Sequence, residues 1–303
     1  MISVIVCSRN KFPSEAFKNN IESTINVDFE IIHIDNSENK HSISTAYNKG
    51  ITESKYPNLC FVHEDVKFHS QEWGVNILKH LQQPNIGILG LAGRDFITRV
   101  PASWKATLDC VNIIQSYNNE NRKSKKRFLP KKNDQPKRSV VILDGVLLCM
   151  KREITDKIYF DEQIKGFHGY DFDICIQSTL AGYTNYVVYD VILEHFSKGN
   201  ADALYYRNLI TIFKKWNKHL PLIGENTSKK SITKIDIIEE KGLYRLLVKL
   251  TRRGFSTKEI IEEITFFGNL IKSKKLKFIR TTIYLQVFFI RLFNCPSTLF
   301  KQI

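Results

Sequence analysis

The fold is decided by the stretch Leu59-Cys60-Phe61-Val62-His63-Glu64-Asp65-Val66, an apolar run typical of a buried strand that ends in two adjacent carboxylates. In an open α/β sheet the carboxyl ends of the strands face the ligand crevice. Glu64 and Asp65 would be well placed there to hold a divalent cation, which in turn can hold a diphosphate. Taken alone, the pair is more simply explained as a solvated turn after a strand, so this interpretation depends on the rest of the chain.

Similar apolar, β-branched runs recur along the chain, with helix-like segments between them. The first three lie about 20–25 residues apart, which is the length of a crossover helix with its loops and predicts βαβ units. The predicted strands are Ile2–Cys7, Phe29–Asp35, Leu59–Asp65, Ile86–Leu91, Val140–Met150 and Tyr186–Leu193. The predicted helices are 13–25, 43–54, 71–82, 201–218, 236–250, 257–272 and 276–293.

The composition changes near residue 225, where the strand pattern stops and Lys, Ile, Leu, Phe and Glu become dominant. We therefore expect an α/β domain over 1–224 and a basic α-helical region over 225–303. The six cysteines are scattered without a CxxC pair, and the N-terminus has the pattern of a strand and not of a leader peptide. These features favour a cytoplasmic setting.

The net charge of +14 is unevenly distributed. Residues 122–138 carry a net charge of +8 and residues 226–303 one of +10, so the remainder is mildly acidic. The basic stretch 122–138 lacks interleaved aromatic residues, and no nucleic-acid-binding motif is present, which disfavours a nucleic-acid partner. The charge instead favours accessory surfaces that meet phosphates of a lipid headgroup or a substrate.

Three further groups of polar residues stand where the predicted strands and helices end. Asp35 follows the second strand and can bind a ribose or a base edge, although an Asx turn would explain it equally well. Asp171 and Asp173 open a helix, where one of them could simply be the N-cap. His195 ends an apolar run before Ser197-Lys198-Gly199, and it could be a metal ligand or an ordinary packed histidine.

In order and spacing, these pieces resemble the family-2-like bacterial glycosyltransferases of the GT-A fold, closest to the short branch related to a streptomycin-biosynthesis protein. The resemblance covers residues 1 to about 218 and depends on their order along the chain. The matching pieces are Ser8-Arg9-Asn10, Ile34-Asp35-Asn36-Ser37, Tyr47-Asn48-Lys49-Gly50, His63-Glu64-Asp65, Leu143-Asp144-Gly145, Tyr170-Asp171-Phe172-Asp173, His195 and Lys215-Trp216. His63 replaces the first acid of the family's Asp-x-Asp motif, and Tyr170 replaces the Glu before the presumed base.

The resemblance implies a GT-A fold, a Rossmann-like and mostly parallel sheet with flanking helices, followed here by the basic helical extension. It implies sugar transfer from a nucleotide-diphosphate sugar, with a UDP-sugar favoured, to a hydroxyl of a saccharide or lipid-linked acceptor, with inversion. Asp171 would be the general base, and Asp65 and His195 would hold Mn²⁺ or Mg²⁺. The donor would be bound by Ser8, Arg9, Asp35, Asn36, Asn48, Glu64 and Asp65, and Asp144, Gly145, Tyr170 and Asp173 would shape the donor and acceptor sites.

Two alternatives remain open from the sequence. A degenerate, non-catalytic module that binds a sugar nucleotide is compatible with the departures at His63 and Tyr170. A nucleotidyltransferase would use similar carboxylate and metal chemistry, but it would want a glycine-rich basic loop where this chain has Ser8-Arg9-Asn10-Lys11.

The C-terminal segment 271–293 joins a lysine cluster to an apolar, aromatic helix. Such a segment can lie in a membrane interface with its basic residues on anionic headgroups, which would put the enzyme at the inner face of the membrane in surface polysaccharide or glycolipid synthesis. It can equally pack on the first domain or on the second subunit of a homodimer.

Overall fold

The computed structural model describes residues 1–101, 110–116, 125–128, 136–197 and 201–293. Their contacts divide them into two compact units. The first unit takes the described residues of 1–96, 107–200 and 223–226, and the second takes those of 97–106, 201–222 and 227–303. The domain boundary after residue 224 stays a prediction.

The strands are short and belong mainly to the first unit. In chain order they are β1 (Ile2–Ser8), β2 (Phe29–Asp35), β3 (Asn58–Val62), β4 (Val66–Phe68), β5 (Ile86–Gly90), β6 (Ala92–Arg94), β7 (Phe96–Ile97), β8 (Cys110–Gln115), β9 (Lys125–Phe128), β10 (Lys137–Val140), β11 (Ile142–Leu143), β12 (Leu147–Lys151), β13 (Thr184–Val188), β14 (Leu193–His195) and β15 (Leu222–Ile223).

Seven helices agree with the predicted spans to within about three residues at either end, whereas α4 and α6 had no predicted span. The described helices are α1 (Glu15–Ile25), α2 (Ile43–Glu53), α3 (Trp73–Leu81), α4 (Tyr170–Leu180), α5 (Ala203–Lys215), α6 (Lys229–Ile232), α7 (Ile235–Arg252), α8 (Thr257–Leu270) and α9 (Leu276–Phe293). Among the described helices, none combines the length and apolar character needed to cross a bilayer.

The main sheet of the described residues has the strand order β10-β13-β5-β12-β3-β1-β2. The ladders β1–β2, β1–β3 and β5–β13 are parallel, as crossover helices require. β12 runs antiparallel to β3 and β5, and β10 runs antiparallel to β13, so the sheet is mixed. The α/β class with flanking helices is confirmed.

The predicted single strand Val140–Met150 is wrong. β10, β11 and β12 divide this run between two sheets, and a turn at Asp144-Gly145 separates β11 from β12. The run is buried throughout except at Asp144, so its apolar character marks burial and does not mark continuity of one strand.

A second sheet in the same unit has the order β11-β6-β8-β14-β4, with β9 paired to β8. β14 is antiparallel to β4, with His195 opposite Val66, and parallel to β8. Since only three residues separate Val62 from the start of β4, this pairing brings a strand from far along the chain to the carboxyl end of β3.

A cap and aromatic packing fix the starts of two helices of the first unit. α1 begins after Ser14, whose hydroxyl accepts a hydrogen bond from the Phe17 N–H at 3.2 Å, so the N-cap is one residue beyond Pro13. The Trp73 ring at the start of α3 stacks on Phe68 with the ring centroids 4.2 Å apart, and its N–H donates to Thr24 on α1.

The second unit is built from helices α5 to α9. α8 begins with a capping box in which Ser256 and Glu259 hydrogen-bond each other's backbone N–H. Glu239 of α7 is buried and accepts a hydrogen bond from the Arg99 guanidinium at 2.7 Å. This ion pair compensates the cost of burying the Glu239 carboxylate. Arg207 of α5 donates to Glu259 at 2.7 Å.

Candidate functional site

The carboxyl end of β3 carries the three residues that the sequence singles out first. β3 ends at Val62, and His63-Glu64-Asp65 form the turn into β4. The His63 N–H still donates to the Val146 carbonyl at 3.2 Å, and the Phe196 N–H donates to the Asp65 carbonyl at 2.9 Å. The turn is therefore held from both sides, by the start of β12 and by the residue after β14.

Asp65 and His195 come together with His63 into one cluster. The His195 Nε2 lies 3.3 Å from the Asp65 Oδ1, and the His63 Nδ1 lies 3.4 Å from the His195 Nε2 and 4.0 Å from the Asp65 Oδ1. One ligand atom from each residue lies within 4.8 Å of the others, and all three side chains are half-buried. Two imidazoles and a carboxylate at this separation could hold a divalent metal ion.

The electrostatics of this cluster favour the metal-binding forms of His63 and Asp65. Burial, reinforced by His195, lowers the pKa of His63, so its ring is neutral at neutral pH. Burial acts against the charged form of Asp65, but the hydrogen bond and the charge of His195 outweigh it and hold the pKa of Asp65 below its usual value. Neutral imidazole and ionised carboxylate are the ligand forms of these side chains.

The His63 ring is oriented by Tyr170. The Tyr170 hydroxyl donates to the Gly145 carbonyl at 3.1 Å and lies 2.9 Å from the His63 Nε2. Since a phenol has a single proton, the hydroxyl accepts from Nε2–H, and the lone pair of His63 is at Nδ1, the nitrogen that faces the cluster. A Cβ at Gly145 would stand 2.1 Å from the Tyr170 hydroxyl oxygen, so only glycine leaves room for this contact.

Asp171 lies in the first turn of α4, where Gly169 with a φ of 91° leads into the helix. Its side chain accepts from the Gly145 N–H at 3.2 Å and from the Phe172 N–H at 3.0 Å. Burial and the nearby charge of Asp144 raise the pKa of Asp171 to about 7, although both hydrogen bonds act in the opposite direction. A carboxylate with such a pKa can take up a proton at neutral pH.

Asp144 and Asp173 each accept a hydrogen bond from another group of the protein. Asp144 is half-buried and accepts from the Val146 N–H at 3.1 Å, which closes the turn before β12. Asp173 is buried and accepts from the Gln177 amide at 2.6 Å within α4. Asp173 thus supports the helix, whereas Asp144 adds negative charge beside Asp171.

Glu64 turns away from the cluster of His63, Asp65 and His195 toward the loop after β1. Its carboxylate accepts hydrogen bonds from the hydroxyl of Ser8, from the N–H of Arg9 at 3.1 Å and from the side-chain amide of Asn10 at 3.3 Å. The Arg9 guanidinium carbon lies 5.6 Å from the centroid of the Phe167 ring. The first-strand loop and the segment before α4 are thereby brought together at the sheet edge.

The other predicted donor-binding residues lie at the ends of β2 and in α2. Asp35 is exposed, and its carboxylate accepts from the Ser37 N–H at 2.9 Å, which is an Asx turn. Asn36 is buried and spans the loop to His41 with two hydrogen bonds of 2.9 Å. Asn48 donates to the Phe160 carbonyl and to Glu162, both at 2.9 Å.

Sequence reasoning missed His63 as a candidate ligand, because the family motif has a carboxylate there. The signal that could have found it is its place two residues before Asp65, together with a ligand-type side chain. Asn10 was also missed as a partner of Glu64.

Known proteins resemble this chain in fold but hardly in sequence. It matches the crystal structure of GalNAc-T7 with UDP, GalNAc and Mn²⁺ with a TM-score of 0.50 and 12% identity over 71% of this chain and 48% of that chain. It matches Staphylococcus aureus TarS residues 1–349 in complex with UDP-GlcNAc with a TM-score of 0.50 and 12% identity over 89% of this chain and 81% of that chain. The chain thus spans about half the length of the GalNAc-T7 chain.

These likenesses confirm the predicted GT-A fold. No curated protein sequence matches the chain. The sequence model of one family matches residues 3–198, which include the cluster of His63, Asp65 and His195, as well as Asp171 and the loop after β1. The chain belongs to this glycosyltransferase-like family.

Proposed function

We propose that this protein transfers a sugar from a nucleotide-diphosphate sugar to an acceptor hydroxyl, with inversion at the anomeric carbon and with the help of a divalent metal ion. The observation that carries the proposal is the pairing of two groups in one unit of a glycosyltransferase-like chain. The cluster of His63, Asp65 and His195 is suited to a cation, and the buried carboxylate of Asp171 is suited to a proton. The GalNAc-T7 and TarS structures, which contain UDP and UDP-GlcNAc, support a nucleotide-sugar donor.

The residues of the cluster fit Mn²⁺ better than Mg²⁺. Mg²⁺ takes oxygen ligands almost exclusively, whereas two of the three side chains here offer imidazole nitrogen. The Mn²⁺ in the GalNAc-T7 structure supports this choice. A divalent cation held here would neutralise the charge that develops on the diphosphate leaving group.

The donor would lie across the carboxyl ends of β1, β2 and β3. Glu64 holds the loop after β1 by Ser8, Arg9 and Asn10, so it would position the exposed Arg9 guanidinium for the phosphates. Asp35 presents an exposed carboxylate that could accept from the ribose or base.

Asn36 and Asn48 would contribute to donor binding by shaping the surrounding loops. Their amide groups are engaged by His41 and by the segment 160–162, respectively. Each asparagine therefore fixes the position of backbone that borders the strand ends.

Asp171 would act as the general base. Its carboxylate would take the proton of the acceptor hydroxyl while that oxygen forms its bond to the anomeric carbon and the bond from that carbon to the diphosphate breaks. Its two backbone hydrogen bonds orient the carboxylate, and its pKa of about 7 allows it to accept the proton near neutral pH. Asp144, Gly145, Tyr170 and Asp173 would shape this side of the site.

The remaining features of the proposal come from the family resemblance. We place the chain in the short branch related to a streptomycin-biosynthesis protein, with a catalytic domain over 1–224 and a helical region over 225–303. The acceptor would be a saccharide or a lipid-linked saccharide in bacterial surface polysaccharide or glycolipid synthesis, at the inner face of the membrane. A homodimer also stays a prediction.

The proposal is tested by turnover of donor sugars. The full chain is incubated with UDP-, GDP- and dTDP-sugars in the presence of MnCl₂, with and without a chelator, and release of the nucleoside diphosphate is followed. We expect slow metal-dependent hydrolysis of one class of donor, accelerated by a suitable acceptor. A folded protein that binds a nucleoside diphosphate but releases none from any donor would contradict the proposal and identify a binding module.

A further inference from the structure

Helix α9 of the second unit has two apolar faces, one of which is buried. The buried face packs on α7 and α8 and consists of Leu276, Ile279, Ile283, Val287 and Ile290. At about 100° per residue, these five positions fall within a single stripe of the helix surface. One stripe is enough to anchor an amphipathic helix, so the second apolar face is not needed for folding.

The second face lies on the opposite side of α9 and is open to solvent. Phe278, Leu285, Phe288 and Leu292 are between 54% and 59% exposed, and they fall within an arc of about 80°. Single exposed apolar residues are ordinary, but a row along four turns of one helix is a contiguous patch of the kind that marks an interaction site.

The charge around this patch has one sign. Residues 264–293 contain no Asp or Glu and carry six basic residues, namely Lys272, Lys274, Lys275, Lys277, Arg280 and Arg291. Lys277 and Arg280 lie along one border of the exposed apolar face, together with the exposed Tyr284. Arg291 lies along the same border, and its guanidinium also donates to the Phe255 carbonyl at 2.7 Å. The patch therefore combines apolar side chains with a basic margin.

We propose that the exposed face of α9 lies in the interface of an anionic lipid bilayer. The apolar row would enter the boundary between headgroups and acyl chains, and the basic margin would meet the lipid phosphates. Charge complementarity favours an anionic bilayer over a second copy of the chain as the partner of this face. A second α9 would bring basic residues against basic residues, with no carboxylate from 264–293 to pair with them.

This surface belongs to the second unit and does not depend on the proposed sugar transfer. It is tested by co-sedimentation of the full chain with phosphatidylcholine vesicles that contain about 30% phosphatidylglycerol, and with pure phosphatidylcholine vesicles. We expect binding to the anionic vesicles that weakens as salt is added, since salt screens the basic margin.

Two variants separate the apolar and the basic parts. Phe278→Ser/Leu285→Ser/Leu292→Ser should reduce the partition coefficient on anionic vesicles by about tenfold or more. Lys277→Ala/Arg280→Ala should reduce it by about fivefold for each charge removed. The matched control Phe12→Ser/Tyr159→Ser/Leu180→Ser removes similar exposed side chains from the first unit and should leave binding unchanged.

Because the substituted side chains are exposed, the circular dichroism spectrum and the melting temperature should match those of the unchanged chain. Equal partition by the unchanged chain and the α9 apolar variant would overturn the proposal. So would light scattering that shows a dimer for the unchanged chain and a monomer for that variant, because the face would then be covered by a second copy.

Discussion

Two adjacent carboxylates at the end of β3 have different environments. Glu64 is bound by the protein itself, since the last residue of β1 and the next two residues donate hydrogen bonds to it. Asp65 instead faces His63 and His195, whose ring nitrogens lie 4.0 Å and 3.3 Å from its Oδ1. Neighbours in the sequence thus serve two regions, a loop that is fixed by Glu64 and a cluster that is suited to a cation.

A similar contrast distinguishes the two sides of the site at the carboxyl ends of the strands. On the side of β1 and β2, the polar groups mostly satisfy one another. On the side of α4, burial and like charge leave Asp171 with a pKa of about 7, and Tyr170 presents one nitrogen of His63 to the cluster. A strongly perturbed group of this kind marks a candidate catalytic position more specifically than an acidic residue at a strand end does.

The largest effect should come from Asp171→Asn. We expect turnover to fall by about 10²–10⁴-fold, because the acceptor proton loses its base, while nucleotide binding is unchanged. The matched change Asp173→Asn should cost less than about tenfold, since Asp173 hydrogen-bonds Gln177 within α4. Turnover in the presence of acceptor measures both variants. Near-normal turnover by Asp171→Asn would show that the base lies elsewhere.

The second prediction tests the two adjacent carboxylates directly. Asp65→Asn should weaken Mn²⁺ binding by about 100-fold, because it removes the charged ligand of the cluster. Glu64→Gln should leave Mn²⁺ affinity within about threefold and lower the free energy of unfolding by about 1 kcal/mol, as the loop after β1 loses charge-assisted hydrogen bonds. Mn²⁺ titration followed by electron paramagnetic resonance, together with urea unfolding, measures both effects. A larger loss of Mn²⁺ affinity in Glu64→Gln than in Asp65→Asn would show that Glu64, and not Asp65, is the metal ligand.

The third prediction concerns the orientation of His63. Tyr170→Phe removes the acceptor of the His63 Nε2–H and should lower Mn²⁺ affinity by about 10–100-fold. Tyr186→Phe is the control, because it removes the hydroxyl of a half-buried tyrosine of β13, whose ring lies 4.1 Å from the Lys137 Nζ. Similar Mn²⁺ affinities of the two variants would mean that the Tyr170 hydroxyl does not orient the ring.

The fourth prediction is a pH profile. Because burial and Asp144 raise the pKa of Asp171 to about 7, its carboxylate is protonated below that pH and cannot accept the proton. We expect kcat/KM to fall about tenfold per pH unit below 7. Asp144→Asn removes the neighbouring negative charge, so the acid limb should shift to lower pH. If the acid limb of the pH profile does not move in Asp144→Asn, the titrating group is not Asp171.

Much of the main sheet could be predicted from the sequence, because its strands are coded by local apolar runs. Phe29–Asp35 is observed with the predicted bounds. The division of Val140–Met150 could not be predicted from a local pattern. Glycine is needed at position 145 because the hydroxyl of Tyr170, 25 residues further along the chain, packs against it. Contacts of this range leave no local pattern.

The candidate site follows the same rule. Asp65 and Asp171 stand at element ends that the sequence marks. The role of His63 depends on His195, 132 residues away, and on the register of β4 with β14 that places His195 opposite Val66. The sequence shows a histidine at position 63, but only the folded sheet brings its ring beside Asp65 and His195.

The most direct test of the central claim is a calorimetric titration of the unchanged chain with UDP, GDP and dTDP, each with and without Mn²⁺. We predict that one of the three binds and that its affinity rises by at least about tenfold when Mn²⁺ is present. Absence of binding to all three by a demonstrably folded protein would contradict the assignment of this strand edge as a metal and nucleotide site.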